Sequence, residues 1–193
     1  MSVIAQIISF FSNPFFIALP IPFLLVYHET NNTLYAFKWM IFSMLFIVMV
    51  GLFVLYEVRR HAFSDIDVSH REQRPLFFAF VMFVSLLYLG SLFVLHGPIG
   101  LYVAVGGMLG SIIVLGLVNQ RIKASMHVAG IAAFFTVLSL LYGGIHGFWL
   151  LMIPVVAWSR VKTKRHTVPE AVVGCVLGIV LTLLLYAGVE IWR

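Results

Sequence analysis

The feature that most constrains this chain is a series of apolar runs, most of them about as long as a bilayer is thick. Polar stretches separate seven such segments, at about residues 3–27, 34–56, 76–95, 99–118, 124–142, 147–158 and 168–191. About 20 apolar residues cross the roughly 30 Å hydrocarbon core as a helix, and a helix satisfies its own backbone in lipid. The sequence predicts an all-α polytopic transmembrane helix bundle with six to seven spanning segments.

The composition agrees with a membrane protein and excludes an ordinary soluble domain. The chain is 62% hydrophobic and 10% charged, with a mean hydropathy of +1.08, whereas soluble domains carry about 25% charged residues. The single cysteine, Cys175, rules out an intrachain disulfide framework. We expect the lipid bilayer as the main partner and no nucleic acid.

Two segments have local features with structural consequences. Pro14, Pro20 and Pro22 predict a kinked or interrupted first helix, which we expect to be retained because no cleavable signal peptide is evident. The sixth segment, 147–158, is short and needs Ile145 or a thin bilayer to span.

Two glycine pairs, 106 with 110 and 174 with 178, have a spacing that lets helices approach closely. Ordinary glycine enrichment in membrane helices explains either pair equally well.

The basic residues are unevenly distributed between the two membrane faces. With seven crossings, the loops 57–75, 119–123 and 159–167 lie on the side of the N-terminus, here called side A. Ten of the twelve Lys and Arg residues fall there: Arg59, Arg60, Arg71, Arg74, Arg121, Lys123, Arg160, Lys162, Lys164 and Arg165. Lys38 and Arg193 lie on the other side. The positive-inside rule predicts that side A is cytoplasmic, in a prokaryotic cell membrane.

Three polar stretches on side A contain residue types suited to phosphate chemistry. They read Arg74-Pro75, then Ala124-Ser125-Met126-His127, then Ser159-Arg160-x5-His166-x3-Glu170. In order and spacing they resemble the type 2 phosphatidic acid phosphatase superfamily, membrane lipid phosphatases that share a site with vanadium haloperoxidases. The resemblance covers residues 67–170, with motif stretches 67–75, 123–127 and 159–170. It implies one integral membrane phosphatase-like domain over 1–193.

The chain departs from the family pattern at several positions. Asp67 stands where the family has a lysine, and Arg71 or Lys123 could take the place of that lysine. Ala124 and Met126 replace a proline and a glycine, and Glu170 replaces an aspartate.

The resemblance implies a metal-independent hydrolysis without a cofactor. His166 would attack phosphorus and form a phosphohistidine, and Glu170 would hold the other ring N–H. His127 would protonate the leaving alkoxide and then deprotonate water.

The resemblance also implies a set of phosphate ligands. Arg74 and Arg160 would bind the phosphate through their planar guanidinium groups. Arg71 and Lys123 would support them, and Ser125 would contribute its hydroxyl.

Each of these residues also has an ordinary structural explanation. Thr167 to Glu170 reads as a helix capping box. His166 can be an interfacial histidine and His127 a helix-packing residue. Arg71 and Lys123 can be topology determinants or contacts to lipid head groups.

Two further patterns are compatible with metal binding but are weak. Asp65-x-Asp67 is similar to half of a prenyltransferase magnesium diphosphate motif. His28, His96 and His146 all fall on the side opposite side A, where scattered interfacial histidines usually bind nothing.

Two functions remain open from the sequence. The first is a lipid phosphatase acting on phosphatidic acid, phosphatidylglycerol phosphate or an isoprenyl phosphate or diphosphate. The alternative is a non-enzymatic membrane protein, an inactive relative or small transporter, that binds anionic lipid head groups. Uncharged mid-segment positions argue against a transporter.

Overall fold

The protein is helical along its length. A computed structural model describes residues 2–191, so Arg193, assigned above to the face opposite side A, lies outside the described residues. The α-helices are α1 (Val3–Phe11), α2 (Pro14–Ala18), α3 (Ile21–Thr30), α4 (Thr33–Arg59), α5 (Arg74–Leu95), α6 (Ile99–Asn119), α7 (Met126–Tyr142), α8 (Met152–Lys162) and α9 (Val168–Ile191). Short 3₁₀ helices occupy Arg71–Gln73 and Gly144–Leu151. No β-strand occurs in residues 2–191, so the all-α prediction is confirmed.

The helices are long enough for an integral membrane protein. Five of those described are long and apolar enough to cross a bilayer, and α1 with α2–α3 makes a sixth if that interrupted pair is one span. The remaining segment is α7, a shorter apolar helix of 17 residues. Together these helices match the seven apolar segments predicted from the sequence.

The first segment is interrupted, as its prolines predict. α1 ends at Phe11, and the Asn13 side chain accepts a hydrogen bond from the Phe15 amide at 3.0 Å as Pro14 begins α2. A second break precedes α3, which has proline in its first turn. Proline lacks an amide hydrogen and is tolerated at helix starts, so the segment is divided at these points.

The sixth segment gains length from an unexpected geometry. Gly144–Leu151 forms a 3₁₀ helix that leads directly into α8. A 3₁₀ helix rises about 2.0 Å per residue against about 1.5 Å for an α-helix, so the combined element is about 32 Å long. The segment is therefore long enough to span without a thinned bilayer.

The chain forms two compact units. One, here the terminal unit, is Met1–Ile17 with Val118–Arg193, and the other, the central unit, is Ala18–Leu117. The terminal unit holds the motif stretches 123–127 and 159–170, and the central unit holds 67–75. The description of residues 1–193 as one phosphatase-like domain stays a prediction.

The central unit has an aromatic and aliphatic core between its helices. The buried residues are Val26, Ala36, Trp39, Tyr88, Leu92, Leu101 and Val105. Within this core the hydroxyls of Ser43 and Tyr88 are hydrogen-bonded at 2.5 Å. The Glu29 carboxylate accepts hydrogen bonds from the amides of Ile99 and Gly100, at 3.2 and 2.9 Å. This carboxylate at the start of α6 complements the positive end of the helix dipole.

The terminal unit is built on close packing of α7 against α9. A Cβ atom added at Gly174 would lie 2.5 Å from the carbonyl oxygen of Ser125, and one added at Gly178 would overlap the carbonyl of Ala129. The glycine pair in α9 is therefore a packing feature. At Gly106 and Gly110 an added Cβ would meet nothing within 4 Å, so ordinary enrichment explains the pair in α6.

Candidate active site

The C-terminal end of α8 brings His166 back to Arg160. Lys164 adopts a left-handed conformation with φ of 58°. Its amide donates to the carbonyl of Val161 at 3.0 Å, and the amide of Arg165 donates to the carbonyl of Arg160 at 3.1 Å. These two bonds define a Schellman motif. The amide of His166 also donates to the Arg160 carbonyl, at 3.3 Å. The five residues between Arg160 and His166 in the motif therefore form the C-terminal end of α8 and the turn that follows it.

The first turn of α9 holds the imidazole of His166. Its Nδ1 lies 3.0 Å from Oε2 of Glu170, and the same oxygen accepts the Thr167 amide at 3.1 Å. The Glu170 amide lies 3.5 Å from the Thr167 hydroxyl, which completes a capping box. Glu170 therefore caps α9 and orients His166 at once. Because an ionised carboxylate only accepts hydrogen bonds, this contact assigns the ring proton to Nδ1.

The start of α7 is joined to the start of α9. The amide of Ser125 donates to the carbonyl of Glu170 at 3.1 Å, while the Ser125 hydroxyl accepts from the Val128 amide at 3.5 Å as the N-cap of α7. Ser125 is fully buried and His127, in the first turn, is 3% exposed. First-turn amides and the helix dipole favour an anion at such an end. The second and third motif stretches are thus joined by a direct hydrogen bond.

Arg160 is held inside the terminal unit from an unexpected direction. It is 2% exposed, and its Nη1 donates a hydrogen bond to the hydroxyl of Ser9 on α1. Ser9 was not among the predicted site residues, because its partner is distant in the chain and no local pattern marks the contact.

Cationic side chains surround the imidazole at a surface cleft of about 420 Å³. Its lining consists of Lys123, Val161, Lys164, Arg165, His166, Thr167 and Glu170. The ammonium group of Lys123 donates to the carbonyl of Arg165 at 2.9 Å, which links the loop before α7 to the loop before α9. Lys123 was among the predicted site residues, whereas Lys164 and Arg165 were not. Their position after Arg160, in the loop leading to His166, was the available signal.

A second, larger cleft adjoins the first along α8. It measures about 650 Å³, is lined by Ser2, Trp158, Val161, Lys162 and Lys164, and shares Val161 and Lys164 with the cationic cleft. Because Trp158 precedes Lys162 by one turn of α8, this cleft leads from cationic residues to an aromatic side chain in the apolar segment.

The first motif stretch belongs to the central unit. Arg74, the first residue of α5, is 2% exposed, and its Nε lies 3.4 Å from the carbonyl of Val68. Arg71 is exposed in the 3₁₀ helix. Their contribution to phosphate binding stays a prediction.

Asp65 and Asp67 lie in the loop that precedes α5, and the Asp65 side chain stabilises that loop. Asp65 Oδ1 accepts the amide of Asp67 at 3.0 Å and the hydroxyl of Ser69 at 3.0 Å. This is an Asx-turn, in which the aspartate side chain takes the place of a backbone hydrogen-bond acceptor.

No group of three or more His, Cys, Asp or Glu side chains in residues 2–191 is arranged to hold a metal ion. Of the three histidines considered for a metal, His146 has its Nδ1 3.2 Å from the carbonyl of Gly143.

No family model, curated protein or solved structure matches this chain. The terminal unit combines an oriented imidazole, a buried arginine and a cleft rich in cations.

Proposed function

We propose that this protein is an integral membrane lipid phosphatase that works through a phosphohistidine. The observation that carries the proposal is the 3.0 Å bond between Nδ1 of His166 and Glu170, at a cleft that Lys123, Lys164 and Arg165 also line. A carboxylate on one ring nitrogen fixes the tautomer and raises the nucleophilicity of the other. Cations around the imidazole would attract the dianion that it attacks.

The reaction would proceed in two displacements. In the first, Nε2 of His166 attacks phosphorus, the ester P–O bond breaks, and His127 donates a proton to the leaving oxygen. In the second, His127 takes a proton from water, whose oxygen attacks phosphorus and breaks the N–P bond. Inorganic phosphate leaves and both imidazoles return to their starting states, so no external reductant or oxidant is needed.

The phosphate oxygens would be held by guanidinium groups, hydroxyls and helix termini. In the terminal unit these groups are Arg160, Lys123 and Ser125 at the start of α7. For Arg74 and Arg71 of the central unit, phosphate binding stays an expectation from the resemblance alone. Preorganised charge of this kind is usually the largest single contribution to catalysis.

The substrate would be a lipid with a phosphate or diphosphate head group. Phosphatidic acid, phosphatidylglycerol phosphate and isoprenyl phosphates all fit this chemistry. The hydrocarbon chain of the bound lipid would lie in the cleft lined by Lys164 and Trp158. Charge bias favours a site that faces the cytoplasm of a prokaryotic cell.

One observation favours the alternative, a non-enzymatic protein that binds anionic lipid. Asp67 puts a negative charge where the family pattern has a phosphate-binding lysine. Basic loops alone would still attract anionic head groups at the membrane surface.

A phosphate-release assay separates the two functions. The protein is purified in detergent and offered a panel of lipid phosphates and diphosphates, with and without EDTA. We expect release from at least one lipid, survival of that activity in EDTA, and its loss in His166→Ala. His146→Ala is the matched control, because it removes a histidine of the terminal unit that is not part of the cleft. Release from no lipid would favour the binding protein, and release only with added magnesium would contradict the phosphohistidine mechanism.

A further inference from the structure

The helix α1 lies outside all three motif stretches and packs against α8. Most of α1 carries large apolar side chains, but Ala5 and Ser9 are small and one helical turn apart. Ala5 is completely buried. Residues at this spacing share a helix face, and small side chains let two helices approach closely. This face of α1 can therefore reach the last turn of α8.

The last turn of α8 contains the arginine of the third motif stretch. Ser159 and Arg160 are both buried, and the Schellman motif fixes the backbone on their C-terminal side. The guanidinium group sits at the end of a long side chain with several rotatable bonds. Ordering such a side chain has an entropic cost, which hydrogen bonds at its distal end help to offset.

Ser9 supplies one such hydrogen bond. Its hydroxyl oxygen accepts a hydrogen bond from Nη1 of Arg160. The hydroxyl is neutral, so it orients the guanidinium without cancelling its charge. A guanidinium has five N–H donors in a fixed fork, and this contact uses one of them.

We propose that Ser9 is a positioning residue that aims Arg160 at the phosphate group of the substrate. This inference rests on the proposed phosphatase function and deepens it. It makes α1 part of the phosphate-binding apparatus.

The inference is tested by Ser9→Ala, with Ser9→Thr as the conservative variant. The matched control is Ser12→Ala, because Ser12 is a buried serine next to the end of α1 whose hydroxyl donates to the carbonyl of Ser9 and not to Arg160. Two quantities are measured for each variant: KM and kcat for lipid phosphate, and the dissociation constant of orthovanadate by calorimetry. Orthovanadate is a phosphate analogue that binds without turnover.

We expect Ser9→Ala to weaken vanadate binding roughly tenfold, because the guanidinium group loses a hydrogen bond that helps to orient it. KM for the lipid phosphate should rise together with the dissociation constant of vanadate. In Ser9→Thr both constants should return most of the way to their wild-type values. Ser12→Ala should leave vanadate binding unchanged. A purely structural role for Ser9 would lower thermal stability and leave the dissociation constant of folded protein at its wild-type value.

The outcomes distinguish the two proposals. Wild-type vanadate affinity in Ser9→Ala, or an equal loss in Ser12→Ala, would overturn the role of Ser9 and leave the phosphatase intact. A wild-type protein that releases no phosphate would overturn the phosphatase, whereas vanadate binding weakened only in Ser9→Ala would still show that Ser9 supports an anion site.

Discussion

At the scale of single residues, Glu170 has two tasks that are usually separate. One oxygen, Oε2, accepts the amide of Thr167 and the Nδ1 proton of His166. The amide bond satisfies a donor that the helix start would otherwise leave open. The imidazole bond assigns the ring proton to Nδ1, the tautomer that the proposed mechanism requires.

We expect Glu170→Gln to reduce kcat by at least about 10²-fold, because a neutral amide stabilises the imidazole less and permits the wrong tautomer. The amide still offers an oxygen to the Thr167 backbone, so the melting temperature should change little. Glu170→Asp, which introduces the family residue, should keep more activity than Glu170→Gln. Steady-state kinetics and thermal unfolding in detergent give both readouts, and equal activity in the wild type and Glu170→Gln would contradict the orienting role.

Residue types and spacing could predict His166, Glu170 and Arg160 as site candidates because a helix end and a helix start fix them locally. The bond from Ser9 to Arg160 could not be predicted in this way. It joins residues far apart in the chain, and a serine in an apolar helix does not by itself indicate which residue it contacts. Lys164 and Arg165 looked like ordinary loop cations because only the fold shows that they line the cleft.

At the scale of elements, the site depends on how closely α7 approaches α9. Gly174 faces the backbone of Ser125, and Gly178 faces the backbone of Ala129. Backbone atoms cannot rotate away as a flexible side chain can. Any side chain at these positions would push the two helix starts apart and strain the hydrogen bond from the Ser125 amide to the Glu170 carbonyl.

We expect Gly174→Ala and Gly178→Ala each to destabilise the protein by about 1–3 kcal/mol, the usual cost of overpacking. Phosphatase activity should fall more in Gly174→Ala, since Gly174 lies against Ser125. Gly188→Ala is the control, because Gly188 is on the same helix and an added Cβ would meet nothing within 4 Å. Thermal unfolding in detergent provides the comparison, and a Gly174→Ala variant as stable as Gly188→Ala would refute the packing argument.

At the scale of the whole molecule, hydropathy predicted the number and order of the membrane segments well. Helices that face lipid must be apolar over their full length, so each of them is visible in the sequence. The 3₁₀ helix Gly144–Leu151 was not predicted. A mostly apolar run of eight residues does not distinguish about 3.0 residues per turn from about 3.6 residues per turn. The division into two units was also not visible, since the terminal unit is assembled from both ends of the chain.

Membrane orientation is tested by accessibility labelling in a Cys175→Ala background. Lys162 is exposed at the end of α8, and Lys38 is exposed on α4 and assigned to the opposite face. If side A is cytoplasmic, Lys162→Cys should react with a membrane-impermeant maleimide only in inside-out vesicles. Lys38→Cys should react in intact cells. The reverse pattern would put the site on the outer face.

The shared oxygen of Glu170 also has a consequence for how heat would inactivate the protein. Helix ends open more easily than helix middles, and this end holds His166, the proposed nucleophile. Fraying of a single turn would release the imidazole while every membrane segment stayed in place. Turnover would therefore cease at a lower temperature than the one at which the bundle comes apart.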